Sequence, residues 1–156
     1  MKELATPHVS FKRFCRKLFL IIQESSFIPS RLRVFLLKLG GVSIKGKCFI
    51  GSHVSFDSLR PDLIFIGKGC CITSGTKILS HFMSPDDDAM YYGEVNIGER
   101  VFIGMNTLIV NSVSIGNDSV IGAGSIVLKD IGEKEIWAGN PAKFIRKRKS
   151  RAESDI

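Results

Sequence analysis

The three histidines, His8, His53 and His81, are the side chains of this chain best suited to proton transfer near neutral pH. An imidazole has an ordinary pKa of about 6.5, so it can accept a proton from a hydroxyl nucleophile under those conditions. His53 falls on an outward-facing position of the six-residue repeat described below, and His8 lies in the N-terminal tail. Both are therefore interpreted as surface residues. A zinc site with three histidine ligands is disfavoured because the histidines are scattered along the chain.

A second group of polar residues follows His81 within fourteen positions: Asp86, Asp87, Asp88, Tyr91, Tyr92 and Glu94. A run of acids in a loop is most often only solvated. The alternative is that these side chains orient a hydroxyl group or the imidazole ring. The choice between the two depends on where the loop lies.

The formal charge is +7, from 22 basic and 15 acidic residues. Nucleic acid is disfavoured as the partner, because no aromatic residues are interleaved with the basic ones and no nucleic-acid motif is present. A smaller polyphosphate would be enough to account for the positive charge as a binding partner. The basic C-terminal segment from Lys143 onward is either a solvated terminus or part of such a site.

Aliphatic residues that recur every six positions must form the frame that carries these groups. The period holds without a slip through six units: Ile97, Ile103, Ile109, Ile115, Ile121 and Val127. Earlier copies start at Ile44 and Ile66, and a small or β-branched residue lies four positions after most of the aliphatic residues. Shifts of frame between Phe56 and Ile66 and between Ile78 and Ile97 indicate two insertions.

The six-residue period predicts short strands joined by tight bends, because a helix requires apolar residues at 3.6 spacing. One unit cannot bury its aliphatic residue alone, so successive coils must stack. Three units per coil would close a triangular prism, with the aliphatic and the small residue inside. We therefore predict an all-β, parallel β-helix.

Length and cysteine usage are those of one compact intracellular domain. About 150 residues is typical of a single domain. The cysteines show no C-x-x-C spacing, and Cys48 and Cys70 fall in the small interior position, so we interpret both as core residues. The chain has no run of 18 apolar residues and no signal-peptide pattern, which predicts a cytoplasmic protein.

Two amphipathic helical patterns precede the repeats, with Ser10 and Ser30 as candidate caps. The first has these apolar residues on one face: Phe11, Phe14, Cys15, Leu18 and Ile22. The second is expected to end at Gly40 and Gly41 and to place these residues inward: Leu32, Phe35, Leu36 and Leu39. We expect both helices to cover the open end of the prism. The alternative is peripheral membrane association through the basic first helix.

The repeats and two later segments resemble the hexapeptide-repeat acyltransferases, in the branch of maltose, galactoside and capsular-polysaccharide O-acetyltransferases. The two segments are IGAGSIVLKD from Ile121 and AGNPAKFIR from Ala138, and the resemblance covers roughly residues 29–148. The repeat alone also occurs in γ-class carbonic anhydrases, which need three histidines for zinc. The last segment, together with a histidine before a loop, is more specific to the acyltransferases.

This resemblance implies a left-handed β-helix that assembles as a homotrimer, with active sites between neighbouring prisms and acetyl-CoA in the groove between subunits. It assigns the general base to His81, and it implies no metal. The implied acceptor contacts are Asp86, Asp87, Tyr92 and Glu94. The implied cofactor contacts are Met105, Ala123, Lys129, Gly139, Asn140, Pro141 and Arg146.

Within that cofactor set, Met105 and Ala123 would meet the pantetheine arm, and Lys129 and Arg146 would approach the adenosine phosphates. Trp137 would either pack on the cofactor or close the prism. The expected division is a helical cap at residues 1–43, a β-helix at 44–138 with a loop at 82–96, and a CoA-side turn and basic tail at 139–156.

The resemblance therefore predicts an acetyl-CoA-dependent O-acetyltransferase of a saccharide acceptor, in cell-surface polysaccharide biosynthesis. Serine O-acetyltransferase and amino-sugar N-acetyltransferase are alternatives within the enzyme class. A non-catalytic trimeric scaffold or binding module is the alternative outside it.

Overall fold

The structure is a computed structural model that describes residues 11–84, 86–110 and 112–149. Two α-helices come first, α1 at Phe11–Ile22 and α2 at Ser30–Gly40. The strands of the described residues are β1 Ser43–Ile44, β2 Phe49–Ile50, β3 Ser55–Phe56, β4 Ile64–Ile66, β5 Cys71–Ile72, β6 Lys77–Ile78, β7 His81–Met83, β8 Met90–Tyr92, β9 Val95–Ile97, β10 Phe102–Ile103, β11 Leu108–Ile109, β12 Val113–Ile115, β13 Val120–Ile121, β14 Ile126–Val127, β15 Glu135–Ala138 and β16 Lys143–Lys147.

Parallel pairing stacks most of these strands into three faces. Face A contains β1, β4, β9 and β12, and face C contains β3, β6, β11 and β14. Face B contains β2, β5, β10, β13 and β15, and β16 adds to it antiparallel. Each coil gives one strand to each face in the order A, B, C. This is the left-handed β-helix that the repeat and the resemblance predicted.

Aligned aliphatic side chains fill the prism, because pairing is in register from coil to coil. On face B, Ile50, Ile72, Ile103 and Ile121 are successive partners, each at most 1% exposed. Faces A and C carry equivalent ladders, for example Ile97 beneath Ile115. The predicted interior residues are confirmed as the core.

The second interior position accepts small polar residues because the turns offer them backbone acceptors. Thr107 Oγ1 donates to the carbonyl oxygen of Gly104 at 2.7 Å, and Ser125 Oγ donates to that of Gly122 at 2.6 Å. The Cys70 thiol donates to the Gly98 carbonyl at 3.0 Å. All four cysteines are free, Cys70 is buried and Cys48 packs against the core.

The two shifts of frame are insertions at the same corner of the prism, where face C leads to face A. The first contains a single 3₁₀ turn at Pro61–Leu63. The second contains the antiparallel hairpin of β7 and β8, in which His81 is the partner of Tyr92. Both insertions leave the coils above and below them in register.

The helices cover the N-terminal end of the prism through polar contacts. Gln23 is fully buried, and its Nε2 donates to the carbonyl oxygens of Leu20 and Val54. The buried Arg33 donates from Nη1 to the Gln23 carbonyl at 2.8 Å. α2 ends as predicted, with Gly41 in the left-handed region at φ 107°.

Two predictions for the helices were wrong. Ser30 does not cap α2; its hydroxyl accepts a hydrogen bond from the Ile50 N–H at 2.8 Å, which satisfies a donor on the edge strand β2. The apolar faces point to solvent rather than inward. The residues that face the prism are Leu20, Gln23, Arg33, Leu37 and Gly40. The predicted cap Ser10 lies outside the described residues.

The apolar faces were predicted to point inward, but the helices cross closely. A close crossing favours small or hydrogen-bonding residues on the inward side, as Gly40, Gln23 and Arg33 show. A side chain added at Gly40 would meet Leu20 Cδ2 at 2.7 Å, so α1 and α2 touch there without room for a larger residue. The larger apolar side chains are left on the opposite surfaces.

Trp137 closes the other end of the prism. It is the partner of Ile121 on face B and packs against the core. Its Nε1 donates to Glu135 Oε2 at 2.8 Å, and its ring meets Phe144 edge-on at 6.4 Å between centroids. Of the two interpretations left open for Trp137, the structure supports closure of the prism.

Candidate active site

His81 lies against a buried carboxylate that belongs to the coil beneath it. Asp57 follows β3, His81 follows β6, and the strand ends Phe56 and Ile78 are partners. Stacking therefore brings the two residues to the same corner, 24 positions apart in sequence. His81 Nδ1 lies 2.5 Å from Asp57 Oδ2.

Asp57 is held by donors on both carboxylate oxygens. Its side chain is fully buried, Oδ2 also accepts from the Ser80 N–H and hydroxyl, and Oδ1 accepts from the Leu59 N–H at 2.8 Å. Burial alone would raise the pKa of Asp57, but these hydrogen bonds, that with His81 foremost, outweigh it and hold the pKa below its usual value. The carboxylate is therefore ionised at neutral pH.

An ionised acceptor fixes the histidine tautomer. Nδ1 carries the proton and donates it to Asp57, so Nε2 presents its lone pair. The His81 side chain keeps 27% of its surface exposed, whereas Asp57 has none. The pair thus has the arrangement of a general base with a buried orienting carboxylate.

The predicted acceptor residues occupy the hairpin above this pair in different ways. Tyr92 lies beside His81, with 6.4 Å between ring centroids. Asp87 accepts from Tyr91 Oη at 2.6 Å and from the Ala89 N–H at 3.2 Å, contacts that shape the hairpin turn. Asp86 and Glu94 are exposed. The structure therefore brings only Tyr92 of this set next to the imidazole.

A cavity of about 340 Å³ lies beside the pair. These residues line it: Arg16, Ser58, Leu59, Arg60, Pro61 and Asp62. The Arg60 guanidinium lies over the Tyr92 ring at 5.7 Å and pairs with Asp62 at 3.0 Å. The Ser80 hydroxyl oxygen also lies 2.9 Å from the Arg60 carbonyl oxygen, so its single proton is shared between that carbonyl and Asp57 Oδ2. The loop that holds Asp57 is therefore also a wall of this cavity.

Most predicted cofactor residues lie on a different edge of the prism. We define edge CA as the turns from face C to face A, which carry Asp57 and His81, and edge BC as the turns from face B to face C. Met105 and Ala123 lie on edge BC in successive coils, joined for example by the Gly124 N–H to Met105 carbonyl bond at 2.7 Å. Gly139, in the turn from β15 to β16, stacks on the same edge, where its carbonyl accepts from the Ile126 N–H at 3.0 Å. Asn140 and Pro141 extend the last of these turns.

The two predicted phosphate contacts are separated. Lys129 follows β14 and lies on edge CA, whereas Arg146 lies on β16 opposite Ile136. Lys143, which the sequence placed only in a basic tail, is the partner of Ala138 and therefore stands next to the last turn of edge BC. Its exposed side chain is a nearer candidate for a phosphate on that edge.

Asp57 is the candidate site residue that sequence reasoning missed. It is the first residue after a shift of frame, directly after an interior Phe. One signal in the sequence could have identified Asp57. It is an acid at the start of one insertion, and His81 lies at the start of the next insertion, one coil later.

The stacked coils of six-residue repeats are the architecture of a known class of transferase, and comparison with known proteins places the chain in that class. A family model described as "Bacterial transferase hexapeptide (six repeats)" matches residues 94–129. Protein CapG of Staphylococcus aureus is 37% identical over 138 residues, covering 84% of this chain and 77% of that protein. The chain belongs to the bacterial hexapeptide-repeat transferases.

More distant relatives differ in length or in sequence. The galactoside O-acetyltransferase of Lactococcus lactis subsp. lactis is 31% identical over 137 residues, covering 85% of this chain and 65% of that enzyme. The chain spans less than two thirds of the length of several such curated relatives. A solved galactoside acetyltransferase in complex with coenzyme A has a TM-score of 0.68 at 25% identity, covering 91% of this chain and 83% of that one.

Proposed function

We propose that this protein transfers the acetyl group of acetyl-CoA to a hydroxyl group of a saccharide, with His81 as the general base. The observation that carries the proposal is the hydrogen bond from His81 Nδ1 to the buried Asp57. A scaffold has no need of a partly exposed imidazole whose tautomer is fixed by an ionised carboxylate. Relatives that are galactoside acetyltransferases support a saccharide as the acceptor.

In this proposal, His81 Nε2 removes the hydroxyl proton as the acceptor oxygen bonds to the thioester carbonyl carbon. Asp57 stabilises the imidazolium that forms. The C–S bond then breaks, and His81 returns the proton to the departing thiolate. The thioester supplies an activated acyl group and a good leaving group, so one base suffices. The products are the O-acetyl ester and free CoA, and His81 is regenerated.

Residues of edge BC are suited to the pantetheine arm. Met105, Ala123 and Gly139 are exposed, and each places backbone groups on the same edge. The basic strand β16 continues from that edge, with Lys143 and Arg146 exposed, and positive charge there favours phosphate groups. These residues fit a ligand that is amide-rich at one end and phosphorylated at the other.

The separation of the two edges supports a homotrimer. Within one chain, His81 on edge CA and the proposed CoA contacts on edge BC lie at different corners of the prism. If edge CA of one copy faces edge BC of the next, base and thioester meet between copies. The outward residues of face B, which include the exposed Phe49 and Phe102, form an apolar strip that such packing would bury.

The test is thiol-detected CoA release from acetyl-CoA against mono- and oligosaccharides, amino sugars and serine. We expect release that depends on a saccharide, and a loss of roughly a hundredfold or more in kcat for His81→Ala. Asp57→Asn should also reduce kcat, by up to about ten-thousandfold, since the ring loses its orienting charge. His53→Ala is the matched control, because His53 is exposed and its ring is hydrogen-bonded to the exposed Ser26, away from edge CA.

These variants separate the possible outcomes. A nearly unchanged rate in His81→Ala would remove His81 from the mechanism. Release that depends on serine or on an amino sugar instead would replace the acceptor class and retain the base. No release and no binding of acetyl-CoA would favour the scaffold.

A further inference from the structure

The first helix presents its apolar face to solvent. Five side chains at helical spacing are between 41% and 81% exposed: Phe11, Phe14, Leu18, Ile21 and Ile22. Leu20, on the opposite side of α1, is 3% exposed and packs on the prism. The apolar face of α1 is therefore not used in covering the prism.

The second helix and the connecting turn extend this surface. Leu32, Phe35 and Leu39 repeat at spacings of three and four residues and are exposed on α2, whose buried residues are Arg33, Leu37 and Gly40. Phe27, in the turn between the helices, is 96% exposed. We call the exposed apolar residues of α1, α2 and this turn the cap surface. Contiguous exposed apolar area of this kind marks an interaction site.

The charges of the two helices are of one sign. α1 contains four basic residues and α2 contains three, and neither contains an acid. Lys17, Arg31 and Lys38 are exposed around the apolar residues. A second copy of the same surface would bring like charges together. A partner must instead be anionic at its surface and apolar behind it.

A bilayer with anionic headgroups has this layering. The cap surface consists of phenyl and aliphatic side chains, which need apolar contact but no hydrogen-bonding partner. The helices of the described residues are too short and too charged to cross a membrane. Amphipathic helices with basic residues beside a Phe- and Leu-rich face lie in the plane of the membrane interface.

We propose that the cap surface docks this protein on an anionic bilayer, with α1 and α2 lying at the level of the headgroups. This end of the prism is also the end that carries the His81–Asp57 pair. Arg16 of α1 lines the same cavity as Leu59 and Arg60, whose N–H groups bond Asp57. Docking therefore holds the site beside the membrane surface. The proposal does not depend on the proposed reaction.

The experiment is cosedimentation of the full chain with vesicles. One set is phosphatidylcholine alone, and the other contains about a third phosphatidylglycerol. We expect binding to the anionic vesicles, weakened by salt because the attraction between basic residues and headgroups is screened. Lys17→Gln with Lys38→Gln should weaken binding roughly fivefold for each basic residue removed.

A matched pair of double variants tests the apolar part. Leu18→Ser/Ile21→Ser should lower vesicle binding at least tenfold, on the order expected for two aliphatic side chains withdrawn from the interface. The control is Leu128→Ser/Ile145→Ser, which removes one exposed Leu and one exposed Ile far from the cap. The control should bind within about twofold of the natural chain. These four residues, like Lys17 and Lys38, are exposed, so the variants should fold.

Three results would overturn the proposal. The first is no sedimentation with either vesicle type, and the second is an equal loss in both double variants. The third is a smaller particle by light scattering for Leu18→Ser/Ile21→Ser alone, which would show that a second copy covers the cap surface. Retained CoA release with a soluble acceptor in Leu18→Ser/Ile21→Ser, together with lost vesicle binding, would separate docking from catalysis.

Discussion

Mixed trimers provide a sharp test of where the site is assembled. One parent is His81→Ala, which lacks the proposed base on edge CA. The other is Ala123→Trp, which places an indole on edge BC, where we propose that the pantetheine arm lies. Ala123 is exposed in a turn, so a larger side chain there points away from the core. Each variant alone should lose at least about a hundredfold in CoA release.

The magnitude of rescue follows from the geometry. If each site combines edge CA of one copy with edge BC of the next, a mixed trimer contains one junction at which both edges are intact. Whether the ratio of the parents is two to one or one to two, that junction is one of three. Mixed trimers should therefore release CoA at about one third of the natural rate.

The assay uses the two variants coexpressed with different affinity tags and purified through both, so that only mixed trimers are measured. The control mixes His81→Ala with Asp57→Asn. Both changes lie on edge CA, so every site in that mixture keeps a defective edge and no rescue to one third is expected. Absence of rescue in the first mixture, with trimers present by light scattering, would refute a site shared between edges of different copies.

Two further predictions concern stability. Asp57→Asn removes a carboxylate whose pKa in the folded chain lies below its usual value of 3.8. Its contribution to the free energy of unfolding is therefore complete above pH 3.8, and it is lost as the pH falls through the lower pKa of the folded state. Urea unfolding of both proteins at neutral pH and below pH 3.8 checks this, and an advantage of the natural chain that grows on acidification would contradict it. Ile103→Ala should lower the free energy of unfolding by about 2 to 5 kcal/mol, because Ile103 is fully buried between Ile72 and Ile121. The exposed Leu128→Ala should cost less than about 1 kcal/mol by the same measurement, and equal losses would show that the ladder is not the main core.

The architecture could be predicted because each six-residue unit corresponds to one strand and one corner of the prism. Interior positions such as Ile97 and Ile115 follow from spacing alone, and so do both insertions. What the period cannot give is contact between insertions. Asp57 and His81 meet only because Phe56 and Ile78 are stacked. Asp57 and His81 themselves do not belong to the repeat.

The orientation of the helices could not be predicted from their amphipathic pattern. A pattern shows that apolar residues share a face, but it does not show which surface that face meets. In α2 the buried side consists of Arg33, Leu37 and Gly40. A hydropathy pattern does not recognise this side as buried, because it combines a charged, an apolar and a small residue. Backbone hydrogen bonds of Arg33 and Gln23 accompany the buried Leu20 and Leu37 on this side, and a hydropathy pattern does not register such hydrogen bonds.

The strict register of the coils also constrains how the reach of the site can change. One coil is 18 residues long, the interval from Ile97 to its partner Ile115, and each coil advances the prism by one strand spacing of roughly 4.8 Å. Gaining or losing a whole coil between His81 and the last turn would preserve every corner and every interior ladder, whereas gaining one residue within a strand would turn interior side chains outward. The span from the base to the C-terminal turn can therefore vary only in steps of one coil, which gives the fold a simple route to acyl donors and acceptors of different length.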